Sequence, residues 1–369
     1  MFEFATTLLA VVAQSTAVIP PPPGIYGLPT ESVDHVAVMN DWRADCSNCQ
    51  ARRRTITRSG RWVKDETVEF DSIVTIYSDF ASGTSIALRR NRAGVLDTLL
   101  VERNFNPEPA GHLRRERTGR SDTGLGETCE IWALTSALLG MTTESCETAD
   151  GIPLWTRHRE RVYSRAVSVQ RRIVRPEEAR PPADLFGQIG WPQLDLVEAG
   201  SQNGYEVRLT SRSRDAERTT VLRGQGHFRS GSEEGRRDEG WHYWATDGTS
   251  SYSYQVDGRG RAVRLEGGRP RRRIGLGSPR WESVANRGPV RVLGERCIWQ
   301  EDMSFQSTDT VYQCRTNDGL PLMLEFDWHW DSVTDIYRAR QVSRRPLRVV
   351  DVAVPQEAVD WGTWGVSLH

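Results

Sequence analysis

The chain writes one phrase twice, and that repetition constrains its fold more than any other feature. Leu125-Gly126-Glu127-Thr128-Cys129 returns as Leu293-Gly294-Glu295-Arg296-Cys297. In both copies a second cysteine follows seventeen residues after the first, as Cys146 and Cys314. Four residues further on, Asp150-Gly151-Ile152-Pro153-Leu154 is echoed by Asp318-Gly319-Leu320-Pro321-Leu322. A repeat of this length is domain-sized, so it predicts a duplicated domain and not a solenoid.

With 369 residues the chain is long enough for two domains of ordinary size, each able to bury a core. The 48 basic and 49 acidic residues leave a net charge of −1, which excludes a charge-driven partner such as nucleic acid or an anionic surface. Of the basic residues only Lys64 is lysine, a bias expected of a GC-rich genome. Nothing reaches the roughly 20 apolar residues needed to span a bilayer, so no transmembrane segment is expected in the mature chain. Phe4 to Ala13 is a short apolar run followed by small residues, and Val11-Val12-Ala13 and Ser15-Thr16-Ala17 both suit signal-peptidase cleavage. Residues 1–17 therefore read as a signal peptide, although Glu3 stands where a basic residue is usual. Six cysteines, four of them in two equally spaced pairs, fit an oxidising compartment, periplasmic or secreted.

Residues 18–32, with Pro20 to Pro23, form a proline-rich spacer. From residue 33 the pattern is of short strands broken by glycine turns. Thr55-Ile56-Thr57-Arg58 and Arg61-Trp62-Val63 flank Ser59-Gly60; Ile73 to Tyr77, Thr84 to Leu88 and Val95 to Val101 follow. This predicts an antiparallel meander. Helical periodicity is nearly absent, with proline-started turns at Pro182 to Phe186 and Pro355 to Trp361. The expected organisation is a first β domain over 33–186, a linker over 187–203 and a second β domain over 204–369. Gly83-Thr84-Ser85 aligns with Gly248-Thr249-Ser250, and Tyr77 with Tyr243.

Candidate site residues each have a structural reading beside the functional one. Cys129 with Cys146, and Cys297 with Cys314, predict disulfide staples across neighbouring strands; a metal site would need further ligands at zinc spacing, and neither copy repeats a histidine. Cys46 and Cys49 form a CxxC motif leading into a strand, which predicts a local disulfide over a reactive dithiol. Asp150-Gly151 and Asp318-Gly319 predict tight turns. The 13 tryptophans are many for this length. Trp132, Trp155, Trp299, Trp328 and Trp330 fall on strands around the cysteine hairpins, where they either fill a core or line a concavity for an apolar ligand. No zinc-protease or nucleophile-elbow spacing occurs, so no catalytic residue, metal or cofactor is assigned.

The strand–turn–strand phrase built on Asp150, Gly151, Pro153 and Leu154, and on Asp318, Gly319, Pro321 and Leu322, resembles the periplasmic lipoprotein-carrier superfamily. That resemblance implies a curved, incomplete barrel, half-barrel-like, whose hollow receives acyl chains. It touches scaffold residues, not ligand contacts. The expectation is a mostly β chain of two tandem antiparallel curved-sheet domains. It would be exported, monomeric through internal pseudo-symmetry and non-enzymatic, binding an apolar small molecule or lipid. An envelope protein-interaction module is the alternative, and a thiol-disulfide enzyme using Cys46 and Cys49 comes third.

Overall fold

In the computed structural model the described residues are 33–42, 51–103, 113–136, 141–194, 204–212, 217–234, 240–269, 281–284, 287–302, 310–328 and 333–368. The leader and spacer, Cys46, Cys49 and Trp330 lie outside them. The chain divides into two compact units: residues up to Ile189 together with Asp360–His369, and Gly190–Val359.

Among the described residues the first unit contains eleven strands: β1 (His35–Asp41), β2 (Arg52–Ser59), β3 (Trp62–Val68), β4 (Ser72–Asp79), β5 (Thr84–Asn91), β6 (Leu96–Arg103), β7 (Leu113–Gly124), β8 (Glu127–Ser136), β9 (Met141–Glu147), β10 (Pro153–His158) and β11 (Arg161–Arg171). Consecutive strands from β1 to β6 pair, as do those from β7 to β11, and β1 pairs with β11 to join the two meanders. Each of these pairings is antiparallel, and β6 and β7 do not pair with each other, so the strands of this unit do not close into a barrel. Among the described residues of this unit helix is scarce: one turn, α1 (Pro176–Ala179), started by proline, and 3-10 turns at Leu185–Gln188 and Trp361–Trp364.

The second unit repeats this plan: β12 (Tyr205–Arg212), β13 (Glu217–Gln225), β14 (Phe228–Glu234), β15 (Trp241–Thr246), β16 (Ser251–Val256), β17 (Ala262–Gly268), β18 (Trp281–Ser283), β19 (Val290–Val292), β20 (Glu295–Asp302), β21 (Thr310–Arg315), β22 (Pro321–Trp328) and β23 (Val333–Arg344). Here β12 pairs with β13 and β23 as β1 pairs with β2 and β11. The place of β7 is shared by β18 and β19, which both pair with β20.

Even the irregularities repeat. The β1–β11 ladder shifts between Val38 and Met39, and the β12–β23 ladder between Arg208 and Leu209. Pro153 and Pro321 sit at matching bulges, where a residue without an N–H breaks the ladder least. The third shared bulge falls at Arg90 and Val256. Both alignments read from sequence are corrected by the registers: Ser85 corresponds to Ser251, one residue beyond Ser250. Thr75, not Tyr77, corresponds to Tyr243, because the β15–β16 hairpin ends one residue pair sooner than the β4–β5 hairpin.

In the first unit a core of Ala37, Met39, Cys129, Ile131, Cys146, Ile152, Leu154, Trp155 and Ala166 lies beneath the β1–β11 junction and the cysteine hairpin. The C-terminal segment packs on the same unit. Trp364 is fully buried, its carbonyl accepts from Thr84 Oγ1 at 2.8 Å, and the Trp361 ring packs tilted against Phe186 with centroids 4.3 Å apart.

Candidate ligand-binding face

The repeated phrase builds the same latch in both units. Leu125-Gly126 and Leu293-Gly294 turn their hairpins with positive φ at both residues (51° and 80°, 52° and 82°), the twist a two-residue hairpin requires. Cys129 bonds Cys146 and Cys297 bonds Cys314, each pair lying diagonally across adjacent strands with Cα atoms 5.3 and 5.2 Å apart. All four cysteines are buried. Gly151 (φ 79°) and Gly319 (φ 82°) turn the next hairpin in the left-handed region. Thr148 Oγ1 donates to Asp150 and accepts from the Ile152 amide at 3.0 Å; Thr316 does the same with Asp318 and Leu320.

One arginine then ties the two hairpins together. Arg171 forms a bidentate pair with Glu127 (2.8 and 2.6 Å) and reaches Asp150 through Nε at 2.6 Å. Arg344 binds Glu295 (2.8 and 2.5 Å) and Asp318 (3.1 Å) in the same way. The Arg171 guanidinium holds the Asp150 carboxyl down at about 2. The repeated acidic residues are thus absorbed in ion pairs and turns.

The tryptophans around these hairpins are not repeated: Trp132 corresponds to Gln300, Trp155 to Met323 and Trp299 to Ile131. Trp155 and Trp299 are buried. Each ring carries a guanidinium: Arg115 and Arg117 at 3.9 and 4.9 Å from Trp132, Arg157 at 4.9 Å from Trp155, and Arg287 at 5.0 Å from Trp299. Such cation–π contacts occupy the ring faces that an apolar ligand would need. The backbone of Trp328 pairs with Val333 at the end of β22.

The units differ most on the sheet face of the first five strands. In the first unit this face is filled with charge. Arg54, 8% exposed, bonds Asp65 through Nε (2.8 and 3.0 Å) and Nη2 (2.5 Å) and lies 3.6 Å from Asp41. Asp41 in turn accepts from Ser164 at 2.5 Å, and burial pushes its carboxyl up. By register, the positions of Arg54, Asp65, Asp41 and Ser164 become Thr220, Gly231, Ser211 and Tyr337 in the second unit. Ile76, opposite Asp65, becomes Trp244, opposite Gly231. A bare backbone at Gly231 lets the indole lie down on the sheet.

Directly paired residues of an antiparallel ladder share a face, so two rows can be followed across the second unit. One runs Leu222, Gly231, Trp244, Ser253; the other runs Thr220, Glu233, His242. Glu233 is 4% exposed and accepts from Tyr337 Oη at 2.9 Å. His242 Nε2 lies 2.8 Å from Ser253 Oγ, and burial, with Arg264 nearby, lowers the imidazole to about 4, leaving it neutral near pH 7. Sequence reasoning missed these residues because a Gly, a Thr and a Trp on separate strands form no motif. Only the strand registers bring them together.

No family model matches the chain, and no curated protein matches it. Among solved structures it is similar to MucB (TM-score 0.23, 11% identity, covering 65% of this chain and 87% of that chain). It is also similar to MucB in complex with MucA(peri) (TM-score 0.21, 12% identity, 66% and 89%). Superposition at this level carries no inference about ligand or partner. No helix among the described residues is long and apolar enough to cross a membrane.

Proposed function

We propose that the chain is an exported, non-enzymatic binding protein. Its second unit would hold an apolar or lipidic ligand on the sheet face carrying Leu222, Gly231 and Trp244. One observation carries the reading: duplicated units keep the same latches and bulges, yet the Arg54–Asp65 charge plug of one is replaced by Thr220 and Gly231 in the other. Removing that buried ion pair and laying an indole over glycine gives this face an apolar stretch at Leu222, Gly231 and Trp244, beside the buried Glu233 carboxyl. The first unit would then serve as the rigid partner. Export is supported by the buried disulfides of both hairpins, which persist only where thiols are oxidised. Trp132, Trp155 and Trp299, with arginines over their rings, act in this account as hairpin packing.

Native mass spectrometry on protein purified from an oxidising compartment tests the reading. It should show an acyl-lipid adduct whose occupancy drops in Trp244→Ala while the fold persists. Protein free of adduct, in both wild type and variant, would sink it.

A further inference from the structure

The tail of each repeat belongs to the other repeat's unit. Beyond the last strand of each copy the two sequences run in step, at the offset that matches Arg171 with Arg344. Val174 and Leu347 are buried at matching places. Glu178 accepts from the Arg175 amide at 3.0 Å, and Asp351 from the Arg348 amide at 3.3 Å. The Leu185 amide donates to the Pro182 carbonyl, and the Ala358 amide to the Pro355 carbonyl. The same offset carries Trp191 onto Trp364. Yet Asp360–His369, which follows the second repeat, is part of the first unit, and the chain from Gly190, which follows the first repeat, is part of the second.

Both tails land at the same end of the same hairpin. In the first unit Trp364 is fully buried, and its carbonyl accepts from Thr84 Oγ1 at the start of β5. The Thr363 carbonyl accepts from Arg103 Nη2 at 2.6 Å at the end of β6, and the Leu368 carbonyl from Arg180 Nη1 at 3.2 Å. In the second unit Trp191 lies over Gly267 near the end of β17, where a β-carbon would stand 2.2 Å from the ring. The Gln193 amide donates to Asp247 Oδ2 at 3.0 Å, in the turn before β16. By register β16 and β17 are the counterparts of β5 and β6.

The first unit's site has the chemistry of a peptide site. Thr84, Arg103 and Arg180 all donate to backbone carbonyls of the tail, groups that any sequence supplies. Selectivity therefore falls to the buried Trp364 indole, which brings the largest apolar area. Reciprocal exchange of one element between two copies of a chain is the geometry of a swapped dimer. Here the duplicated chain supplies both partners.

We propose that residues 190–194 and 360–368 are exchanged arms, and that the first unit's site also takes the 360–368 arm of a second copy of this chain when its own is displaced. In the intact chain the tether holds the arm at an effective concentration of about millimolar, so the site stays filled by its own arm.

Trp364→Ala in the full, oxidised chain weakens that hold, and a labelled synthetic peptide of residues 360–368 stands for the second copy's arm. By fluorescence anisotropy the peptide is expected to bind the variant about tenfold or more tighter than the wild type, whose site is occupied. It should also raise the variant's unfolding midpoint. A peptide carrying Trp364→Ala should do neither. Trp364→Phe, which leaves a smaller gap, should give the same order if the alanine variant does not fold. Equal binding to variant and wild type, or by both peptides, would overturn docking from a second copy. Hydrogen exchange on the full chain tests the exchange of arms itself. Trp364→Ala should speed amide exchange in β5 and β6 and leave β16 and β17 as in the wild type, while Trp191→Ala should do the reverse. Loosening of both hairpins by either variant, or of the hairpin in the arm's own repeat, would overturn the exchange.

Discussion

Gly231 and Trp244 face each other across β14 and β15, and a β-carbon on Gly231 would stand 2.7 Å from the indole. The small residue and the large one therefore form a single unit of packing: glycine is there because the ring lies on it. The fit also fixes where the indole edge, with its unpartnered Nε1, is presented. Gly231→Ala must displace the ring. We expect it to cost about 1–3 kcal/mol through overpacking, seen in urea denaturation, with a changed near-ultraviolet circular dichroism signal. An unaltered tryptophan signature would contradict the packing described.

Leu125 turns its hairpin at φ 51° and is 49% exposed, a conformation costing an ordinary side chain roughly 1–2 kcal/mol. Asparagine tolerates that region far better and is favoured before glycine in such turns. Leu125→Asn is expected to raise the unfolding free energy by about 0.5–1 kcal/mol, and Leu293→Asn to match it. A denaturation midpoint that falls in either variant would show that the leucine is held by contacts beyond the turn.

The Arg171 latch has an acid limit. Asp150 titrates at about 2 when folded, below its ordinary 3.8, so its stabilisation is complete above pH 3.8 and disappears as pH falls toward 2. Because both partners are partly solvent-exposed, Arg171→Met should cost only about 0.5–1 kcal/mol at pH 7. It should flatten the acid dependence of stability between pH 4 and 2. Retention of the wild-type slope would assign that dependence to other carboxylates.

His242 acts at milder pH and with the opposite chemistry. It is a base whose folded value, about 4, lies below its ordinary 6.5, so the unfolded chain binds the extra proton between those limits. Stability is complete above pH 6.5 and is lost progressively down to pH 4, by on the order of 2 kcal/mol. His242→Asn cannot take up that proton and should remove most of the loss, as read by urea midpoints across the window. Identical profiles in variant and wild type would contradict the buried neutral imidazole.

The architecture was legible in the sequence wherever local chemistry dictates it. Leu-Gly and Asp-Gly turns, the prolines at strand starts and the cysteine spacing are short-range devices, and each has the same conformation in both units. The antiparallel meander followed from glycine-punctuated strands. The proposed ligand face was not legible, for a geometric reason. The offset between matching residues drifts, from 166 at Thr220 and Gly231 to 168 at Trp244, so these residues align with Arg54, Asp65 and Ile76 only through the ladders. The tryptophans around the hairpins drew attention by number, yet Trp132, Trp155 and Trp299 sit beneath arginines.

The central claim is that an acyl ligand lies against Trp244, and contact quenching measures this most directly. Delipidated wild-type protein titrated with a dibrominated monoacylglycerol should lose a defined fraction of its tryptophan emission. That quenchable fraction should vanish in Trp244→Phe and persist in Trp132→Phe. Quenching that survives in Trp244→Phe and is lost in Trp132→Phe would place the ligand on the cysteine hairpin of the first unit and contradict the account.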